Sequence, residues 1–144
     1  MKELMMILII VVFAAASSAR ARLGDSGDVI EDSYGDIMQR RTHDDGSISV
    51  IYKKDRYLYL VTFANDRSIS ESYSHVKGTD LSEKEITRFL KANAGRAKWI
   101  SDNARTVRRF TRSDGKAEAI YAPVNGRPAL TVRELHSNHR RSDR

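Results

Sequence analysis

Residues 57–64, YLYLVTFA, restrict this chain more than any other stretch. Tyr57, Tyr59, Val61 and Phe63 fall on one face of a strand, and Leu58, Leu60, Thr62 and Ala64 fall on the other. Apolar residues on both faces predict burial on both sides and an interior place in a sheet. Just upstream, residues 47–52 put Ile48, Val50 and Tyr52 on one face of a partner strand. Between the two strands, Lys53, Lys54, Asp55 and Arg56 form a turn that must face water.

The segments around this hairpin continue the pattern. Residues 28–34 carry Val29, Ile30 and Tyr34 at helical spacing and end at Gly35, which predicts a short N-terminal helix. Residues 37–42 read as a strand, because His43-Asp44-Asp45-Gly46 is a turn sequence leading into Ser47. Residues 68–76 alternate with serines on one face, which predicts a strand nearer an edge. Ser82 and Glu85 then form a capping box, with Leu81 and Ile86 at staple positions. They open an amphipathic helix over residues 82–94 whose stripe is Ile86, Phe89 and Leu90. Trp99 is expected to plug the edge of the same core. Residues 101–105 fit a loop or a helix equally. Asp114-Gly115 marks a hairpin between residues 106–113 and 116–122, and Asn125-Gly126 leads to a last strand over 129–135. The expected fold class is α+β: an antiparallel sheet of about six strands with one main amphipathic helix packed on one face and a short N-terminal helix. No internal repeat is visible.

Residues 1–21 read as a signal peptide. An apolar run of 13 residues, Leu4 to Ala16, follows Lys2, and small residues stand near Ala19 and Ala21. The run is short for a membrane span, which needs about 20 residues. Export to the periplasm or medium is therefore expected, with an uncleaved N-terminal membrane anchor as the alternative. Residues 22–135 form one α+β domain on this reading, and residues 136–144, HSNHRRSDR, a disordered basic tail. The absence of cysteine removes disulfides, thiolate metal sites and a lipidated N-terminal cysteine.

Charge is divided unevenly. Residues 22–87 hold 9 Lys/Arg and 13 Asp/Glu, whereas residues 88–144 hold 14 and 5. The basic half invites an anionic polymer or an envelope protein as partner. Within it, Arg105, Arg108, Arg109 and Arg112 surround Phe110. Arg108, Arg109 and Arg112 are the candidate ligand-binding residues, since arginines beside an aromatic hold phosphate, sulfate or carboxylate groups. Nucleic acid is disfavoured by export, and a membrane enters only if the N-terminal segment stays uncleaved. His136 and His139 lack a third ligand, and Asp25, Asp28, Glu31 and Asp32 lack calcium-loop order, so no metal and no cofactor is expected. There is no G-x-S-x-G, Walker loop, G-x-G-x-x-G or H-E-x-x-H, and no catalytic residue is assigned. The leading function is an exported, non-enzymatic binding module of the cell envelope. The alternative is an envelope hydrolase with His43 or His75 as base.

The layout also resembles known exported proteins. Tyr34-Gly35, a meander, Leu81-Ser82-Glu83 opening a helix that ends Leu90-Lys91-Ala92-Asn93, Trp99, and Arg112-Ser113-Asp114-Gly115-Lys116-Ala117-Glu118-Ala119 together resemble small exported proteins of unassigned function of the Verrucomicrobia and Planctomycetes type. The first half, helix then meander, is similar to the SmpA/OmlA outer-membrane assembly lipoproteins, without their lipidated cysteine. These resemblances imply a fold and no activity.

Overall fold

Two-residue alternation dominates the chain, and the backbone follows it. The computed structural model describes residues 22–102 and 106–136. The predicted signal peptide, Arg105, His139 and all but the first residue of the predicted tail lie outside the described residues. In chain order the elements are α1 (Gly27–Tyr34), β1 (Asp36–Thr42), β2 (Ile48–Lys54), β3 (Tyr57–Ala64), β4 (Arg67–His75), α2 (Glu83–Ala92), β5 (Trp99–Asp102), β6 (Arg108–Arg112), β7 (Ala117–Val124) and β8 (Arg127–Glu134). The strands form one antiparallel sheet in the order β1-β2-β3-β4-β8-β7-β6-β5.

This corrects the expected α+β fold of about six strands and one main helix. The described residues are mostly β, in eight strands and two short helices. The overlooked strand is β5, where Trp99-Ile100-Ser101-Asp102 is too short to show a period of two. Pairing with Arg109–Arg112 of β6 makes it a strand. β4 is central rather than near an edge, paired with β3 and β8. Ser72 of that polar face finds a partner across the sheet: its hydroxyl and that of Thr131 lie 2.7 Å apart between β4 and β8. A polar strand face therefore does not require an edge.

The order of elements reveals a duplication that the residues conceal. Each half runs helix and four-stranded meander, and the halves meet where β4 and β8 pair around Ser72 and Thr131. Ile30 and Tyr34 stand four and eight residues after Ser26, the N-cap of α1. Ile86 and Leu90 stand likewise after Ser82, the N-cap of α2. Asn65 and Asn125, both at φ 51°, occupy the matching β3–β4 and β7–β8 turns. Asparagine tolerates this left-handed conformation better than most residues.

Both helices lie on one face of the sheet. Residues paired across antiparallel strands share a face, so Tyr52, Tyr59, Tyr73, Leu130 and Tyr121 form one continuous row. Tyr34 of α1 stacks on Tyr59 with ring centroids 4.0 Å apart, and Phe89 of α2 stacks on Tyr73 at 4.3 Å. Tyr52 and Tyr57 meet these rings edge-on, Tyr52 against Tyr34 and Tyr57 against Phe89. The other face of β3 (Leu58, Leu60, Thr62, Ala64) is only half-buried, since no described helix covers it. Burial on both sides was expected there and is not found.

Phe89 is the residue through which α2 holds this face. Phe89→Ala should lower unfolding stability by about 3–5 kcal/mol in denaturant titration. Ile100→Ala, at a side chain 59% exposed, should change it by less than about 0.5 kcal/mol. Equal losses would contradict the packing described.

Candidate binding groove

The buried chemistry begins at Glu71, a fully buried carboxyl in the middle of β4. Its cross-strand neighbours are Val61 and Val132, so it lies among apolar residues. The Tyr34 hydroxyl donates to its Oε2 at 2.6 Å and the Tyr73 hydroxyl at 2.7 Å. The Ser68 hydroxyl lies 3.0 Å from its Oε1 and donates to it. Asn93 extends the network, its Nδ2 donating to the Tyr73 oxygen at 2.8 Å while its Oδ1 accepts from the Leu23 amide at 2.8 Å. Gly24 N donates to Ser68 Oγ at 2.8 Å. α1, α2, β4 and residues 22–24 are thus tied to one carboxyl.

Burial pushes the Glu71 carboxyl up from its ordinary value, although Tyr34, Tyr73 and Ser68 favour its ionised form. Burial also raises the Tyr34 and Tyr73 phenols, so both remain protonated donors. A carboxyl raised in the folded state stabilises the fold below its unfolded value of about 4.3. That contribution is lost as pH climbs through the folded value.

Docked in this way, α1 forms one wall of a groove. The opposite wall is β1, with Ile37 and Arg40, and the floor is Ile48, Val50, Tyr52 and Phe63 from β2 and β3. The volume is about 390 Å³, within the usual range for ligand pockets. Asp28 and Glu31 of α1 and Asp66 of the β3–β4 turn supply three carboxylates to its lining. Asp66 lies close to the start of α1, its Oδ1 3.4 Å from where a Cβ on Gly27 would stand. A second hollow of about 590 Å³ sits beside the β6–β7 turn and the end of β8. Its apolar lining is only Leu23 and Leu135, and its Arg112 and Asp114 are paired with each other.

The candidate arginines are placed apart. Arg108 forms a two-point contact with Glu83 of α2, at 2.5 and 3.0 Å. Arg109 points to the opposite sheet face and donates to Glu118 at 2.7 Å, and Arg133 pairs with the other oxygen of that carboxylate. Arg112 grips Asp114 at 2.9 Å and donates to the Asn93 carbonyl at 3.0 Å. Each of the three is engaged by an acid of its own chain.

The two candidate bases sit at opposite ends of the sheet. His75 Nε2 lies 3.0 and 3.1 Å from the two Glu85 oxygens. Glu85 also accepts from Tyr57 and, at 2.7 Å, from the Ser82 amide in the predicted capping box. Burial works to raise the Glu85 carboxyl, but these donors outweigh it and hold the group at about 2. His43 Nε2 lies 2.8 Å from Ser49 Oγ on the face without helices. Among the described residues no group of three or more His, Cys, Asp or Glu could hold a metal ion.

Neither Glu71 nor the groove was readable in the residue order. Glu71 shares a strand face with Tyr73, and that is its sole local signal. Its other partners stand at positions 34 and 68.

No protein-family model matches this chain. No curated protein matches it either. Among solved structures it is similar to a cysteine-rich secretory protein from Staphylococcus aureus subsp. aureus Mu50, at 13% identity and a TM-score of 0.44. The match covers 80% of this chain and 44% of that one, so this chain spans less than half of its length. A likeness of this size carries no argument about fold or function.

Glu71→Gln keeps an acceptor for both phenols and removes the titration. Between pH 4 and pH 8 the denaturant midpoint of the wild type should fall relative to that of the variant. Curves that run parallel would show that Glu71 does not couple folding to protons.

Proposed function

We propose that this protein is an exported, non-enzymatic binding module that engages a partner in the cell envelope through the groove between α1 and β1–β3. One observation carries this reading: a groove between a helix and an edge strand, floored by Ile48, Val50, Tyr52 and Phe63 and lined as well by the charged groups of Asp28, Glu31, Asp66 and Arg40. Export rests on the apolar run from Leu4 to Ala16. Among the described residues no helix is long and apolar enough to cross a membrane. Binding of an anionic polymer by Arg108, Arg109 and Arg112 would require it to displace Glu83, Glu118 and Asp114, which makes the groove the stronger surface.

A photoreactive side chain at position 37, on the groove wall, should yield a discrete adduct in cells that make the protein. The same group at position 107, equally exposed but remote from the groove, should yield none. Adducts at both positions, or at neither, would count against the groove as the interface.

A second reading, a hydrolase with His43 as base, has the contact between His43 Nε2 and Ser49 Oγ behind it, since an activated serine needs such a neighbour. A serine-reactive fluorophosphonate is expected to leave the chain unmodified. Labelling that vanishes in Ser49→Ala would move the assignment to the hydrolase.

A further inference from the structure

The groove's charge and shape select among partners, and this selection rests on the groove being the binding surface. Asp28, Glu31 and Asp66 reach it from α1 and the β3–β4 turn, and Arg40 is the one cation among its lining residues. α1 itself, GDVIEDSY, holds three acids and no base. The side chains of Asp28, Glu31, Asp66 and Arg40 are all exposed, so their charge acts on whatever approaches. This field repels phosphates, sulfates and carboxylates and attracts cations.

Val50, Tyr52 and Phe63 of the floor are themselves buried, so the apolar surface within reach of a partner is the half-buried Ile48 and, on β1, Ile37 at 44% and Met38 at 60% exposure. The β1–β2 register shifts between Ile37 and Gln39, so Met38 is the extra residue of a bulge on an edge strand. Among the described residues β1 pairs only with β2, and its second edge carries no partner strand. Acidic groups and exposed aliphatic side chains beside an open strand edge fit an extended polypeptide better than a compact small molecule.

We propose that the occupant is an extended, basic segment of a partner protein, with an aliphatic anchor on Ile37 and Ile48 and lysine or arginine beside Asp28, Glu31 and Asp66. Arg40 then opposes the segment's cations and sets its placement between the two walls.

The test uses the full chain labelled with nitrogen-15 and three capped pentapeptides: Lys-Leu-Lys-Ile-Lys, Glu-Leu-Glu-Ile-Glu and Lys-Ser-Lys-Ser-Lys. The first should shift the amides of Gly27, Gly46 and Asn65 and bind about tenfold or more tighter than either of the others at low salt. Added salt should shrink its advantage over the glutamate peptide. The triple variant Asp28→Asn, Glu31→Gln, Asp66→Asn should lose the preference for lysine, and Arg40→Gln should strengthen it. Groove amides that respond equally to the lysine and glutamate peptides would overturn the basic partner and keep the groove. No response to any peptide would overturn both. Shifts of these amides on dilution of the chain alone would replace the partner segment with a second copy and overturn the proposal.

Discussion

The fold depends on giving buried phenols an acceptor. Helices of 8 and 10 residues are too short to hold themselves in water, so α1 and α2 persist only by packing. They pack through rings, Tyr34 on Tyr59 and Phe89 on Tyr73. Two of those rings bring hydroxyls into a region without water, where an unpaired hydroxyl costs about 1–3 kcal/mol. Glu71 accepts from both. The carboxyl is itself expensive to bury, which is why its titration moves up, yet it lets aromatic area and hydrogen bonding act at one place.

The two halves share a plan and have diverged at this point. Facing the helices, β3 carries Tyr57, Tyr59, Val61 and Phe63, whereas the matching strand β7 carries Ala117, Ala119, Tyr121 and Pro123. The first half is thick with rings and the second is thin, so α2 leans its Phe89 toward the first half. Trp99 closes the remaining side, its indole N–H donating to the Leu90 carbonyl at 2.7 Å. The groove exists because the short α1 leaves the β1 side of its own half open.

Charge behaves differently in sequence and in space. The C-terminal half looks like a free basic surface when its residues are counted. In the fold, Arg108 reaches across to Glu83 of α2, an acid from the acidic stretch of residues 22–87. Arg109 and Arg133 share Glu118, and Arg112 closes on Asp114. Two of the three carboxylates lining the groove, Asp28 and Glu31, belong instead to the acidic set that lacks calcium-ligand order.

The residue order alone determined those features that arise within a few positions. The capping box of Ser82 and Glu85, the whole of β3, and the turns at His43–Gly46 and Asp114-Gly115 all follow from local hydrogen bonding and alternation, and the structure has each of them. Tertiary structure decided whatever depends on distant pairing. It made Trp99–Asp102 a strand by supplying β6 as its partner, and it moved β4 from the expected edge to the centre by pairing it with β8. It also turned Glu71, an ordinary polar residue by sequence, into the acceptor for Tyr34 and Tyr73. The reason is physical: periodicity reports which way a side chain faces, while burial and partners depend on which segment of the chain arrives on that face.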